Sequence, residues 1–87
     1  MHESSLIGNL LKKIETVALQ QNAVKVTGVT VRLGALSQIS AKHFREHFQN
    51  ETVGSIAEAA ELDIEIGEDI DDPNAQNVLL KSVDIEK

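Results

Sequence analysis

Apolar residues recur at helical spacing along 4–21: Leu6, Leu10, Ile14 and Val17 fall on one side, and Ile7, Leu11 and Ala18 widen the stripe. The spacing predicts an amphipathic helix with Ser4 or Ser5 as its N-cap, ended by Gln20-Gln21-Asn22. At residue 24 the period changes. Residues 24–33, VKVTGVTVRL, are dominated by β-branched side chains and predict a strand. Val29, Val31 and Leu33 share one parity, whereas Val24 and Val26 hold the other. Gly28 between them is expected to mark a bulge that switches the parity.

Gly34-Ala35-Leu36-Ser37 turns the chain, and Ser40 stands where the N-cap of a second helix, about 40–50, should lie. Ile39 and Phe44 have the spacing of a hydrophobic staple, and Phe44 and Phe48, one turn apart, should face the core. Residues 62–66, LDIEI, alternate as a half-buried strand does. Residues 67–77, GEDIDDPNAQN, read as an acidic loop. Residues 78–86, VLLKSVDIE, predict a last strand with Leu79, Val83 and Ile85 on one face, which could pair with 62–66 as a long-looped hairpin, the sequence leaving strand order open. The order α-β-α-β-β implies an α+β fold: a small mixed or antiparallel three-stranded sheet covered by two helices, with 1–87 as a single domain.

Composition narrows the function. The net charge of −6, with no basic run longer than Lys12-Lys13, argues against nucleic acid and anionic membranes as partners. With no cysteine, these residues can form neither a disulfide, a thiolate nucleophile nor a cysteine-based zinc site. No apolar run is long enough to span a membrane, and His2 and Glu3 stand where a signal peptide carries positive charge, so a cytoplasmic protein is expected. A large second residue such as His2 disfavours removal of Met1.

The strongest candidate for chemistry is the first tripeptide. Met1 offers an α-amine, His2 an imidazole one residue away, and Glu3 a backbone nitrogen or a carboxylate. Amine, imidazole and intervening deprotonated amides can close fused chelate rings around Ni(II), which favours nitrogen-rich square-planar or octahedral sites. Binding there releases protons and should weaken on acidification. The competing reading is a solvated chain end.

Two other clusters read as structural. His43 and His47, at i and i+4, could chelate a metal, but no third ligand has a diagnostic spacing, and a polar helix face opposite Phe44 and Phe48 accounts for them. Glu65, Glu68, Asp69, Asp71 and Asp72 could gather a hard cation, yet they lack EF-hand order, and a solvated loop beside a sheet edge accounts for them. There is no nucleophile elbow, phosphate loop or dinucleotide pattern, and an enzyme is not expected.

MHESSLIGNLLKKIETVA followed by VKVTGVTVRLGALSQIS resembles the HypA/HybF family of hydrogenase nickel-incorporation proteins. The resemblance rests on an opening Met-His-Glu, a strand running into Gly34-Ala35-Leu36-Ser37, the Phe44 and Phe48 pair, Glu61-Leu62-Asp63-Ile64, and the last strand from Leu79 to Glu86. It implies nickel delivery to [NiFe]-hydrogenase precursors, in some organisms also towards urease, alongside a nickel-handling GTPase. It also implies Met1 and His2 as ligands of a transiently held Ni(II), with Glu3 contributing. The family inserts a zinc domain with two CxxC pairs between its last two strands, where this chain holds only the acidic loop 67–77, so no zinc is expected. A loop of that length can join neighbouring strands at little extra closure cost. The rival reading is a metal-free interaction module of the same fold docking on a maturation GTPase or another partner. A homodimer is left open.

Overall fold

The structure, a computed structural model, describes residues 3–37, 39–73 and 75–87, with the backbone alone for residues 3–6. Five elements follow one another: α1 (Glu3–Gln20), β1 (Lys25–Leu33), α2 (Ala41–Glu51), β2 (Glu61–Ile66) and β3 (Val78–Glu86). They form the expected α+β arrangement, a mixed three-stranded sheet with two helices.

Strand order is β2-β1-β3, with β1 parallel to β2 and antiparallel to β3. The last two strands therefore do not pair as the hairpin that the sequence allowed. Both flank β1, whose inward side chains, Val26, Val29, Val31 and Leu33, are at most 2% exposed. The most apolar strand takes the centre because only there can it bury against neighbours on both sides. The parallel β1–β2 pair is reached through α2, as a parallel crossover requires.

Two bulges keep the apolar positions in phase. Val26 pairs with Ile85 and Gly28 with Asp84, which leaves Thr27 as an extra residue in β1. This is the parity switch expected near Gly28. Thr30 pairs with Ser82 and Val31 with Leu80, which leaves Lys81 as an extra residue in β3. That second bulge corrects the expected face of β3. Val78, Leu80, Val83 and Ile85 pack on the core, while Leu79 faces the other way. The inward pairs are then Val26–Ile85, Val29–Val83, Val31–Leu80 and Leu33–Val78 on one side, and Val29–Leu62 and Val31–Ile64 on the other.

Helix α1 buries Ile7, Leu10, Ile14 and Ala18, with Leu11 packed at the margin. Its stripe is thus rotated towards Ile7 and Ala18, and Val17 is half-buried. The helix begins at Glu3, so Ser4 and Ser5 lie in its first turn and do not cap it; no Gly or Pro stands there to stop it. Its other end closes as a Schellman motif. Asn22 has φ 57°, Asn22 N–H donates to Leu19 O at 3.2 Å, and Ala23 N–H donates to Ala18 O at 2.9 Å. Ser40 caps α2 as expected, its Oγ accepting from His43 N–H at 3.2 Å, and Ile39 and Phe44 are both buried beside it. Phe44 and Phe48 are fully buried, with ring centroids 6.3 Å apart. At the end of α2, Thr52 is buried and its hydroxyl donates to Phe48 O at 2.8 Å.

Candidate functional site

Helix α1 fixes what can be said of the N-terminal tripeptide. Met1, His2 and the side chain of Glu3 lie outside the described residues. The backbone of Glu3 is described and is the first residue of α1. The first four N–H groups of an α-helix have no acceptor within the helix. The amide of Glu3 is one of these, so using it as a deprotonated metal ligand would cost the helix no hydrogen bond. Four residues on, Ile7 is fully buried against the sheet. The helix that carries the tripeptide is therefore anchored within about one turn of it, since a turn takes ~3.6 residues.

The other candidates do not assemble a site. Among the described residues there is no group of three or more His, Cys, Asp or Glu placed to hold a metal ion. His43 is exposed and His47 half-buried on α2, where His47, one turn from Phe44, flanks the buried stripe of Phe44 and Phe48.

The acidic segment is more ordered than a solvated loop. Gly67 N–H donates to Leu33 O at 2.7 Å, Leu36 N–H to Ala75 O at 2.7 Å, and Gly34 N–H to Asn77 O at 2.9 Å. Ala75 is buried, and Oδ1 of Asp69 accepts from Asp71 N–H at 2.9 Å. Residues 67–77 thus fold back on the turn after β1 and extend its hydrogen bonding beyond the strand ends. The Gly, Pro and Asp content signalled a turn, but only the fold could show which backbone it would meet.

Sequence reasoning also passed over Arg45. Its Nη1 donates to Leu62 O at 2.9 Å and ties α2 to β2. No spacing rule reveals such a contact, because donor and acceptor are 17 residues apart.

No helix among the described residues is long and apolar enough to cross a membrane.

Comparison with known proteins agrees with this geometry. Residues 1–69 match the family described as "Hydrogenase/urease nickel incorporation, metallochaperone, hypA". The hydrogenase maturation factor HypA of Aquifex aeolicus (strain VF5) is 41% identical over 66 residues, covering 76% of this chain and 57% of that protein. Its counterpart in Shewanella baltica (strain OS185) is 35% identical over 66 residues, covering 76% of this chain and 56% of that protein. The chain thus spans little more than half the length of these relatives. The solution structure of the Ni metallochaperone HypA from Helicobacter pylori shares the fold, with a TM-score of 0.83 over 99% of this chain and 98% of that one at 20% identity. The matched family is one of metallochaperones and not of enzymes. The chain belongs to the HypA family of nickel-incorporation proteins.

Proposed function

We propose that this protein binds Ni(II) at Met1, His2 and Glu3 and passes it to the precursor of a nickel enzyme, [NiFe]-hydrogenase first and urease second. The observation that carries the proposal is that the family match begins at residue 1 and so includes the tripeptide. The description of the matched family as nickel incorporation for hydrogenase and urease supports the cargo and the recipients. The position of the Glu3 amide at the head of α1, where an N–H has no acceptor within the helix, supports the ligand set.

In this reading nickel is cargo. The amine of Met1 and the imidazole of His2 must both be deprotonated to bind, and amide nitrogens of His2 and Glu3 can complete a nitrogen-rich plane. A chelate at a chain end is open on several sides, so a recipient can take over its ligands one at a time. The protein works in the cytoplasm, and its partners are a nickel-handling GTPase and the enzyme precursor. Its acidic surface suits basic protein patches and disfavours nucleic acid.

Residues 67–77 take the place of the family's zinc module. The family match ends at residue 69, inside this segment, while β3 beyond it still completes the sheet. These 87 residues contain no cysteine, so no cysteine-ligated zinc is held here.

Calorimetric titration of Ni(II) into native-ended protein tests the reading, beside His2→Ala and a form with two residues added before Met1. Binding of one equivalent to the native protein is expected, with at least ~10-fold weaker binding in both variants, as loss of a chelating donor implies. Equal affinity in all three would overturn it and leave the metal-free docking module.

A further inference from the structure

Between helix α1 and the edge of the sheet at β3 runs an open groove of about 550 Å³. Its apolar lining comes from Leu10 and Val17 of α1 and from Val78 and Leu80 of β3. Val17, Val78 and Leu80 are only half-buried, although Val31 and Leu33, the β1 residues paired with Leu80 and Val78, are at most 2% exposed. The apolar surface of the core thus continues outwards into the groove. Strand β3 pairs with β1 on one side and, among the described residues, with no strand on the other. The outward main-chain groups of an edge strand need hydrogen-bond partners, which an extended segment supplies in series and a helix cannot.

The charges around the groove decide which segment fits. Both charged residues in its lining are exposed lysines, Lys12 and Lys13, in a chain whose net charge is −6. Leu10, Lys13 and Val17 stand at i, i+3 and i+7, so Lys13 rises from the same stripe of α1 as the apolar wall. That stripe therefore runs apolar, basic, apolar over ~10 Å of helix. The inward positions of a strand lie ~7 Å apart, so three of them span a comparable length. Lysines beside an edge strand ordinarily deter a further strand. They become partners for one that brings a carboxylate between two apolar side chains.

We propose that this groove takes an extended segment of a partner protein, added to the sheet beside β3, whose inward side chains run apolar, acidic, apolar. Its carboxylate meets Lys13 with Lys12 adding to the field, and its apolar side chains lie against Leu10 and Val17 over Val78 and Leu80. The contact is small beside a standard interface of ~1,600 Å², so the segment binds reversibly. No residue of the groove belongs to the tripeptide proposed for nickel, so the two readings stand or fall separately.

The probe is a blocked peptide of about eight residues with Val and Glu alternating on one face and Thr on the other, VTETVTET. It is titrated to ~1 mM, the range in which weak binding shows, into the isotope-labelled full chain and followed by amide NMR. Saturable shifts are expected at residues 10–17 and 78–83. The same peptide with Lys for Glu should bind at least roughly tenfold more weakly, and Lys12→Glu with Lys13→Glu should reverse that preference. Val17→Gln, which keeps every charge, should weaken the acidic peptide several-fold. Lys12 and Lys13 are exposed, and the dispersion of the same spectra verifies that each variant keeps its fold. No shift by ~1 mM overturns the proposal, as does equal binding of the two peptides or an unchanged affinity in Val17→Gln. Groove shifts that follow protein concentration and ignore the peptide would assign the groove to a second copy and overturn it too.

Discussion

The guanidinium of Arg45 reaches the main-chain carbonyl of Leu62 at 2.9 Å and holds the second helix to the second strand. The contact is part-buried, and its donor is charged. Hydrogen bonds of that kind contribute ~1.5–3 kcal/mol at most when removal strands the partner, and less where water can replace the donor. Arg45→Ala should therefore lower stability by about 1–2 kcal/mol in urea unfolding, and Arg45→Lys, which keeps a donor on a shorter reach, by about half of that.

The two helix caps should be separable. Ser40→Ala removes the acceptor for His43 N–H and should destabilise by ~1 kcal/mol. Asn22 holds φ 57°, where a Cβ-bearing residue other than Asn is disfavoured, so Asn22→Ala should cost about 1 kcal/mol while Asn22→Gly should be close to neutral. Thermal unfolding of the three variants checks the order.

Phe44 and Phe48 are the only aromatic residues in the chain, and both are buried. Truncating a buried Phe to Ala costs ~3–5 kcal/mol. A domain of this size has total stability at the low end of ~5–15 kcal/mol. Phe44→Ala should leave a substantial unfolded fraction at 37 °C, visible as lost amide dispersion in an NMR spectrum, whereas Phe44→Leu should remain folded.

Two glycines should respond unequally to Ala. A Cβ at Gly28 would meet Oδ2 of Asp84 at 2.8 Å, but that carboxylate is exposed and can swing aside. A Cβ at Gly67 would stand 3.3 Å from both Ala35 N and Leu33 O, which are backbone atoms, and Leu33 O is itself held by the N–H of Gly67. Gly67→Ala should cost ~1–2 kcal/mol and Gly28→Ala less than ~1, with Asp84→Ala suppressing the Gly28 penalty in a double-mutant cycle.

Nickel held by an amine and an imidazole must compete with protons for both. Acidification should release it, and the proton count released on binding should drop when His2 is replaced. Calorimetry in buffers of different ionisation enthalpy measures that count. An unchanged count would place the metal on other ligands.

Much of the fold was legible because its signals are local. The cap at Ser40, the staple from Ile39 to Phe44 and the parity break at Gly28 each depend on residues a few positions apart, and each recurs in the structure. The pairing of β2 with β1 was not legible. Composition marks 62–66 and 78–86 as strands, but which neighbour each takes depends on the competition to flank the most apolar strand, a property of all three together. The face of β3 was misread for a related reason: Lys81 is an extra residue only relative to Thr30 and Val31, some fifty positions earlier. As for the site, Met1-His2-Glu3 stood out because a chelating tripeptide is complete in sequence. The described residues add the helix start at Glu3 and nothing about the imidazole.

The central place of β1 also bears on how the molecule is made. Strand β1 is synthesised before β2 and β3, yet the partner for one of its edges is β3, the last of the five described elements. Until residues 78–86 emerge, a nascent chain carries its stickiest strand with one side bare, a state open to mispairing with neighbouring chains. Ribosome-stalled chains whose residues 78–87 are still inside the exit tunnel should bind holdase chaperones more avidly than chains stalled on a C-terminal linker long enough to bring those residues out, even though the first expose fewer apolar residues.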